Sequence, residues 1–193
     1  MTRIMRDSTT AADIPTAGIQ LVAGYLNGKI SQWSNDDWNR FAGTSVGLVT
    51  IDVDGSRPDA DVLDVETGDA SVTTAVTWVK NKLGRGPSFL PILYCNRSTL
   101  TPLFNALLAA GFHVNTHFKI WIGTLDGTMS VPDMTGVVAV QYAGEAQTGG
   151  HYDQSAVYDD TWKAVVLAHG VLVQLPAGAA RNVVSSDQGR TWR

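Results

Sequence analysis

The segment Asp61-Val-Leu-Asp64-Val-Glu66-Thr-Gly68 carries two carboxylates two residues apart on an apolar run. On a strand, residues two apart share a face, so Asp64 and Glu66 project together with Val65 opposite. Strand geometry spaces their backbones by about 6–7 Å. Two acids so placed repel each other, which raises the pKa of one and suits it to give up a proton near neutral pH. The chemistry this pair offers is general acid catalysis beside a second, charge-stabilising carboxylate. An isolated Asp-x-Glu is more often a solvated loop edge than a site, so its weight depends on what the rest of the chain brings to it.

Elements that would position such a pair can be read along the chain. Eight short apolar runs read as strands: Arg3–Arg6, Gln20–Tyr25, Val46–Val53, Asp61–Glu66, Leu90–Tyr94, Phe118–Ile122, Val137–Tyr142 and Tyr152–Val157. Several lack alternation, as strands buried on both faces do. Helical stripes recur at Ser71–Leu83 (Val72, Ala75, Val76, Val79, Leu83) and at Ser98–Ala110 (Leu100, Leu103, Phe104, Leu107, Leu108), with a shorter helix at Asp36–Phe41. The later connections are too short or too Gly-rich for long helices. The expected fold is α/β: a TIM-like (β/α) barrel of eight strands with an incomplete helix ring. An open doubly wound sheet is the structural alternative.

In a barrel of this kind the strand ends gather functional groups. Here they carry Asp7, Tyr25, Asp52, Asp54, Tyr94, Asn96, Trp121, Gln141, Tyr142 and Asp153. Rings stack on sugar faces, and acids and amides bind hydroxyls, so this set suggests a saccharide site. Asp7, Asp64, Glu66 and Asp153 are the candidate catalytic groups; Tyr25, Asp52, Tyr94, Trp121, Gln141 and Tyr142 are the candidate substrate-binding groups. Asp52 and Asp54 are equally suited to hydrogen-bonding loop backbone before Gly55. Trp33 and Trp38 are expected to pack. Cys95, the single cysteine, is expected in the core rather than as a nucleophile. His113 and His117 have i, i+4 spacing but no third ligand, so no metal and no organic cofactor is expected.

The ordered set Asp7, Asp64-Val-Glu66, Ile92-Leu-Tyr94, Ile120-Trp-Ile122, Val140-Gln-Tyr142 and Tyr152-Asp153 resembles glycoside hydrolase family 25, the lysozyme-type muramidases, and related hydrolase-like domains of phages and actinobacteria. The resemblance runs over residues 3–162 and is to a divergent member. Met5-Arg-Asp-Ser stands where the family has Gly-Ile-Asp-x-Ser, and Tyr152-Asp-Gln-Ser where it has Val-Asp-x-Asn. It implies an eight-stranded barrel with fewer than eight helices. It further implies cleavage of the β-1,4 bond beside N-acetylmuramic acid through an oxocarbenium-like transition state. By the same resemblance Glu66 is the general acid, Asp64 stabilises positive charge or orients an N-acetyl group, and Asp7 and Asp153 flank them. A chitinase-type signature ending in Asp64 and Glu66 fails because Val62 stands where an acid belongs.

Composition sets the bounds on partners. Charged residues are 17% of the chain and the net charge is −4, which disfavours nucleic acid as partner. No run reaches transmembrane length, and Met1–Thr10 lacks the apolar stretch of a secretory signal. The expected partner is peptidoglycan or a related polysaccharide. It would be reached after release by lysis or as part of a virion, with the protein cytoplasmic before release. The barrel is expected over residues 1–168. Residues 169–193 read as a β-hairpin tail with one Asp-box-like motif, Ser185-x-Asp187-x-Gly189-x-Thr191-Trp192, offering a contact for phage structural proteins. The alternative function is a non-catalytic carbohydrate-binding or virion structural module that retains the barrel.

Overall fold

The computed structural model describes residues 2–158, except 30, 42, 43, 45, 87–89 and 131. The expected tail and the end of the expected barrel domain lie outside these residues. All eight expected strands form: β1 Arg3–Asp7, β2 Leu21–Tyr25, β3 Gly47–Asp52, β4 Val62–Asp64, β5 Ile92–Asn96, β6 Lys119–Gly123, β7 Val137–Ala143 and β8 Asp153–Val157. They close in sequence order into one barrel. The α/β barrel is therefore the fold, and the open sheet is excluded.

The first seven strands run parallel, but β8 is antiparallel to both β7 and β1. The connection from Ala143 to Asp153 is too short for a crossover, so the chain turns back through α4 (Glu145–Thr148) and descends. This direction decides the site: it is the start of β8, Asp153, that lies opposite the end of β1, Asp7.

Helices follow only some strands. Helix α1 (Asn35–Asn39) starts at a capping box in which the Ser34 N–H donates to Asp37 Oδ2 at 2.8 Å and Asp37 N–H donates to Ser34 Oγ at 3.3 Å. Helix α2 (Val72–Gly84) is capped by Ser71 Oγ accepting from the Thr74 N–H, and α3 (Arg97–Ala109) by Asn96 Oδ1 accepting from the Thr99 N–H. The buried face of α2 is Ala75, Trp78, Val79 and Lys82, rotated from the expected stripe. The rotation is made possible by polar partners: Trp78 donates to Asp52, and the Lys82 ammonium donates to the Ala60 carbonyl and lies 5.1 Å from the Trp78 ring centre. On α3, Leu103 and Leu107 are buried, whereas Leu108, expected on the stripe, is exposed.

Two apolar layers result. Met5, Leu21, Val49, Val62, Ile92 and Val157 fill the barrel interior. Leu63, Val65, Leu93, Ile120 and Val140 face outward against α2 and α3. Over β1–β3, where no long helix lies, Trp33, Trp38, Phe41 and Ile14 form the covering layer instead. Trp33 and Trp38 pack as expected, with ring centres 4.7 Å apart. Gly24 permits this approach, because a Cβ there would lie 2.5 Å from the Trp33 ring. Cys95 is fully buried in the outer layer, and burial pushes its thiol up to about 12, as a core residue rather than a nucleophile requires. No helix among the described residues is long and apolar enough to cross a membrane.

Candidate active site

Strand alternation converts the sequence pattern into a site. Inward positions at the upper strand ends are Asp7 on β1, Tyr25 on β2, Ile51 on β3, Asp64 on β4, Tyr94 on β5, Trp121 on β6, Gln141 on β7 and Asp153 on β8. With Glu66, one step past β4, these nine residues line a single pocket at the barrel mouth. All four expected catalytic carboxylates are therefore brought together, along with Tyr25, Tyr94, Trp121 and Gln141. None of the lining residues is basic.

The carboxylates differ in depth. Asp7 and Asp64 are buried, and each keeps one oxygen, Oδ1, shielded from solvent and without a hydrogen-bond partner in the structure. Such atoms are uncommon in folded proteins and call for an explanation. The other oxygen of Asp7 accepts from the Tyr25 hydroxyl at 3.4 Å. Burial, and then the charge of Asp153, holds Asp7 well above the usual carboxylate range. Burial, followed by the charges of Asp69, Glu66 and Asp7, does the same to Asp64. Glu66 is half-buried, less enclosed than Asp7 and Asp64; burial raises its pKa, and the neighbouring Asn96 side chain opposes that rise. Asp153 is raised by burial and by Glu145, while Gln141 Nε2 donates to its Oδ2 at 2.7 Å. Four acids without a lining cation hold protons that ordinary carboxylates release, so the pocket can supply a proton and retain negative charge beside it.

The aromatic groups form the floor. Trp121 is fully buried, meets Tyr94 edge-on with ring centres 4.8 Å apart, and donates from its indole to Ser155 Oγ at 3.1 Å. Tyr94 carries its hydroxyl over Gly123, where a Cβ would lie 2.6 Å from that oxygen. Burial lifts the phenols of Tyr25 and Tyr94 far above the ordinary range, so both stay neutral donors.

Two expected binding residues are corrected. Asp52 follows the inward Ile51 and so faces outward. It is fully buried, with Oδ1 accepting from Asn27 Nδ2 and the Asp54 and Gly55 N–H groups, and Oδ2 from the Arg57 N–H and the Trp78 indole. It organises the β3–β4 loop against α2 and has no access to the pocket. Tyr142 follows the inward Gln141 and likewise faces outward, packed in the layer against the helices, with its hydroxyl hydrogen-bonded to the Gln154 amide. The spacing of His113 and His117 has a structural cause: the His113 N–H donates to His117 Nδ1 at 2.9 Å, closing a turn.

Sequence reasoning placed Asn96 among the strand-end groups without giving it a role, and did not select Asp69, Gly123 or Ser155. The strand pattern could have found Ser155, which shares the inward parity of Asp153. Asp69 and Gly123 act through loop proximity and missing bulk, and neither leaves a pattern in a single sequence.

No family model and no curated protein matches the chain. Among solved structures it is similar to the Clostridium perfringens spore cortex lytic enzyme SleM, with a TM-score of 0.55 and 10% identity over 81% of this chain and 67% of that one. At that identity the likeness establishes a shared barrel fold.

Proposed function

We propose that this chain is a glycoside hydrolase that degrades cell-wall peptidoglycan, cleaving the β-1,4 bond beside N-acetylmuramic acid. The observation that carries this reading is the convergence of Asp7, Asp64, Glu66 and Asp153 on one pocket floored by Tyr94 and Trp121. The fold it shares with a spore cortex lytic enzyme supports the same substrate class. Glu66, less buried than Asp7 and Asp64, protonates the glycosidic oxygen. Asp64, one step deeper, faces the sugar ring and stabilises the oxocarbenium-like charge or orients the N-acetyl group, and Asp7 and Asp153 hold the surrounding potential negative. The family resembled by the ordered motifs, and delivery to the wall by lysis or within a virion, belong to the same proposal.

The test is release of reducing ends from purified cell walls by the wild type and by Glu66→Gln. Loss of the acid is expected to lower the rate by about 10²–10⁴-fold with the fold intact. Absence of release from walls of several sources, with saccharide binding retained, would replace the hydrolase by a non-catalytic carbohydrate-binding module.

A further inference from the structure

Among the described residues other than glycine, only Asn115 and Leu125 have positive φ, and Leu125 stands at +51°. Asparagine tolerates that left-handed region, but a leucine enters it only where its surroundings compel it. Here they do. The loop leaves β6 at Gly123, and the Thr124 and Leu125 N–H groups both donate to the Gln141 carbonyl, at 2.9 and 3.1 Å. From α4, Gln147 Nε2 donates to the Leu125 carbonyl at 3.2 Å. The next residue, Asp126, accepts from the Thr124 hydroxyl and the Thr128 N–H, and pairs with Arg97 at the start of α3 at 2.9 Å. Three elements therefore brace this short stretch of backbone. What they display is an apolar side chain: Leu125 is 47% exposed, the more so for being held rigidly in place.

That side chain lies at the edge of the pocket. A Cβ on Gly144 would lie 3.6 Å from Leu125 Cδ2 and 3.5 Å from Asp153 Oδ1. The bulk that Gly144 lacks thus leaves a leucine methyl and a pocket carboxylate flanking one gap. Strain retained beside a site is strain the site can use. We propose that Leu125 is a specificity-determining residue, held in its left-handed conformation to meet the acyl methyl of an N-acetylated sugar. The charges nearby favour that occupant. Glu145 follows Gly144 and is exposed, Asp153 lies across the gap, and the Arg97 cation is already paired with Asp126. Carboxylates of a wall peptide would meet like charge there, and sugar hydroxyls gain nothing from a leucine, whereas an acetamido methyl is neutral and apolar. The inference rests on the glycoside hydrolase reading and adds to it a residue outside the pocket lining.

The experiment compares two substrates: purified wall glycan strands freed of peptide, and the same strands with N-acetyl replaced by N-formyl. The exchange removes the methyl and keeps a neutral amide. The wild type is expected to favour the N-acetyl strand by about 10-fold in kcat/KM, and Leu125→Asn by no more than about 2-fold. Asparagine suits the left-handed backbone, so this variant should melt no lower than the wild type. Leu125→Met keeps an apolar reach and should keep the preference. Because the preference is a ratio within one protein, loss of folded material leaves it unchanged. An undiminished preference in Leu125→Asn would overturn the proposal and leave the hydrolase standing; with a lowered melting temperature, it would make Leu125 a packing residue. Equal cleavage of both strands by the wild type would overturn it as well. A wild type that cleaves neither strand would remove the hydrolase reading and the role of Leu125 with it.

Discussion

Asp64 illustrates how a single carboxyl can oppose folding while serving a site. It is buried with one oxygen unpartnered, and burial with the charges of Asp69, Glu66 and Asp7 raises its pKa in the folded chain. In the unfolded chain it titrates at about 3.9. Below that pH both states are protonated and the residue makes no difference. As pH rises above it, the unfolded chain ionises first, so the native state loses stability, and the penalty is complete once pH passes the folded value. Asp64→Asn is therefore expected to raise the melting temperature at neutral pH, by a stabilisation on the order of 1 kcal/mol. That gain should vanish on acidification to about pH 4. Melting temperatures of the two proteins across this range are the check. A difference independent of pH would show that charge burial is not its cause. Stability gained by removing a functional group is the common exchange at active sites.

Among the elements, β3 and its loop show what one buried acid can hold in place. Asp52 ties Asn27, the turn around Gly55 and the Trp78 indole of α2 into one junction. Asp52→Ala leaves several of these donors unsatisfied and is expected to destabilise the fold by about 3 kcal/mol. Urea denaturation should reveal the loss, while saccharide affinity of the folded fraction stays unchanged. The same element shows where the sequence could be read and where it could not. The eight strands, the α3 stripe and the shared face of Asp64 and Glu66 follow from apolar runs and a period of two. That period also forbids Gln141 and Tyr142 from both facing the pocket, but spacing alone does not say which of the two turns outward. The facing of Asp52 was not, because β3 is apolar on both sides and its alternation carries no signal. The reversal of β8 was half visible: a connection too short for a crossover precedes it, but shortness alone does not say which residue then lies beside Asp7. Lys82 in the core and Gly123 beneath the Tyr94 hydroxyl depend on contacts distant in sequence.

At the scale of the molecule, closure makes the barrel one cooperative unit. Val157 faces the interior and lies between Arg3 of β1 and Ala139 of β7. Val157→Asp places an unpaired charge in that seam and is expected to cost more than about 3 kcal/mol. Unfolding followed by tryptophan fluorescence and by far-ultraviolet circular dichroism should shift together, as a single transition requires. Separate transitions would show that β8 can detach while the remaining strands persist. The downward course of β8 also fixes how the molecule can be moored. Arg3 and Val157 are paired at the end of the barrel remote from Asp7 and Asp153, so polypeptide joined before the one or after the other starts from the same face, opposite the pocket. A carrier attached at either point, or at both, holds the protein by its base and leaves the open mouth turned toward whatever surface lies ahead of it.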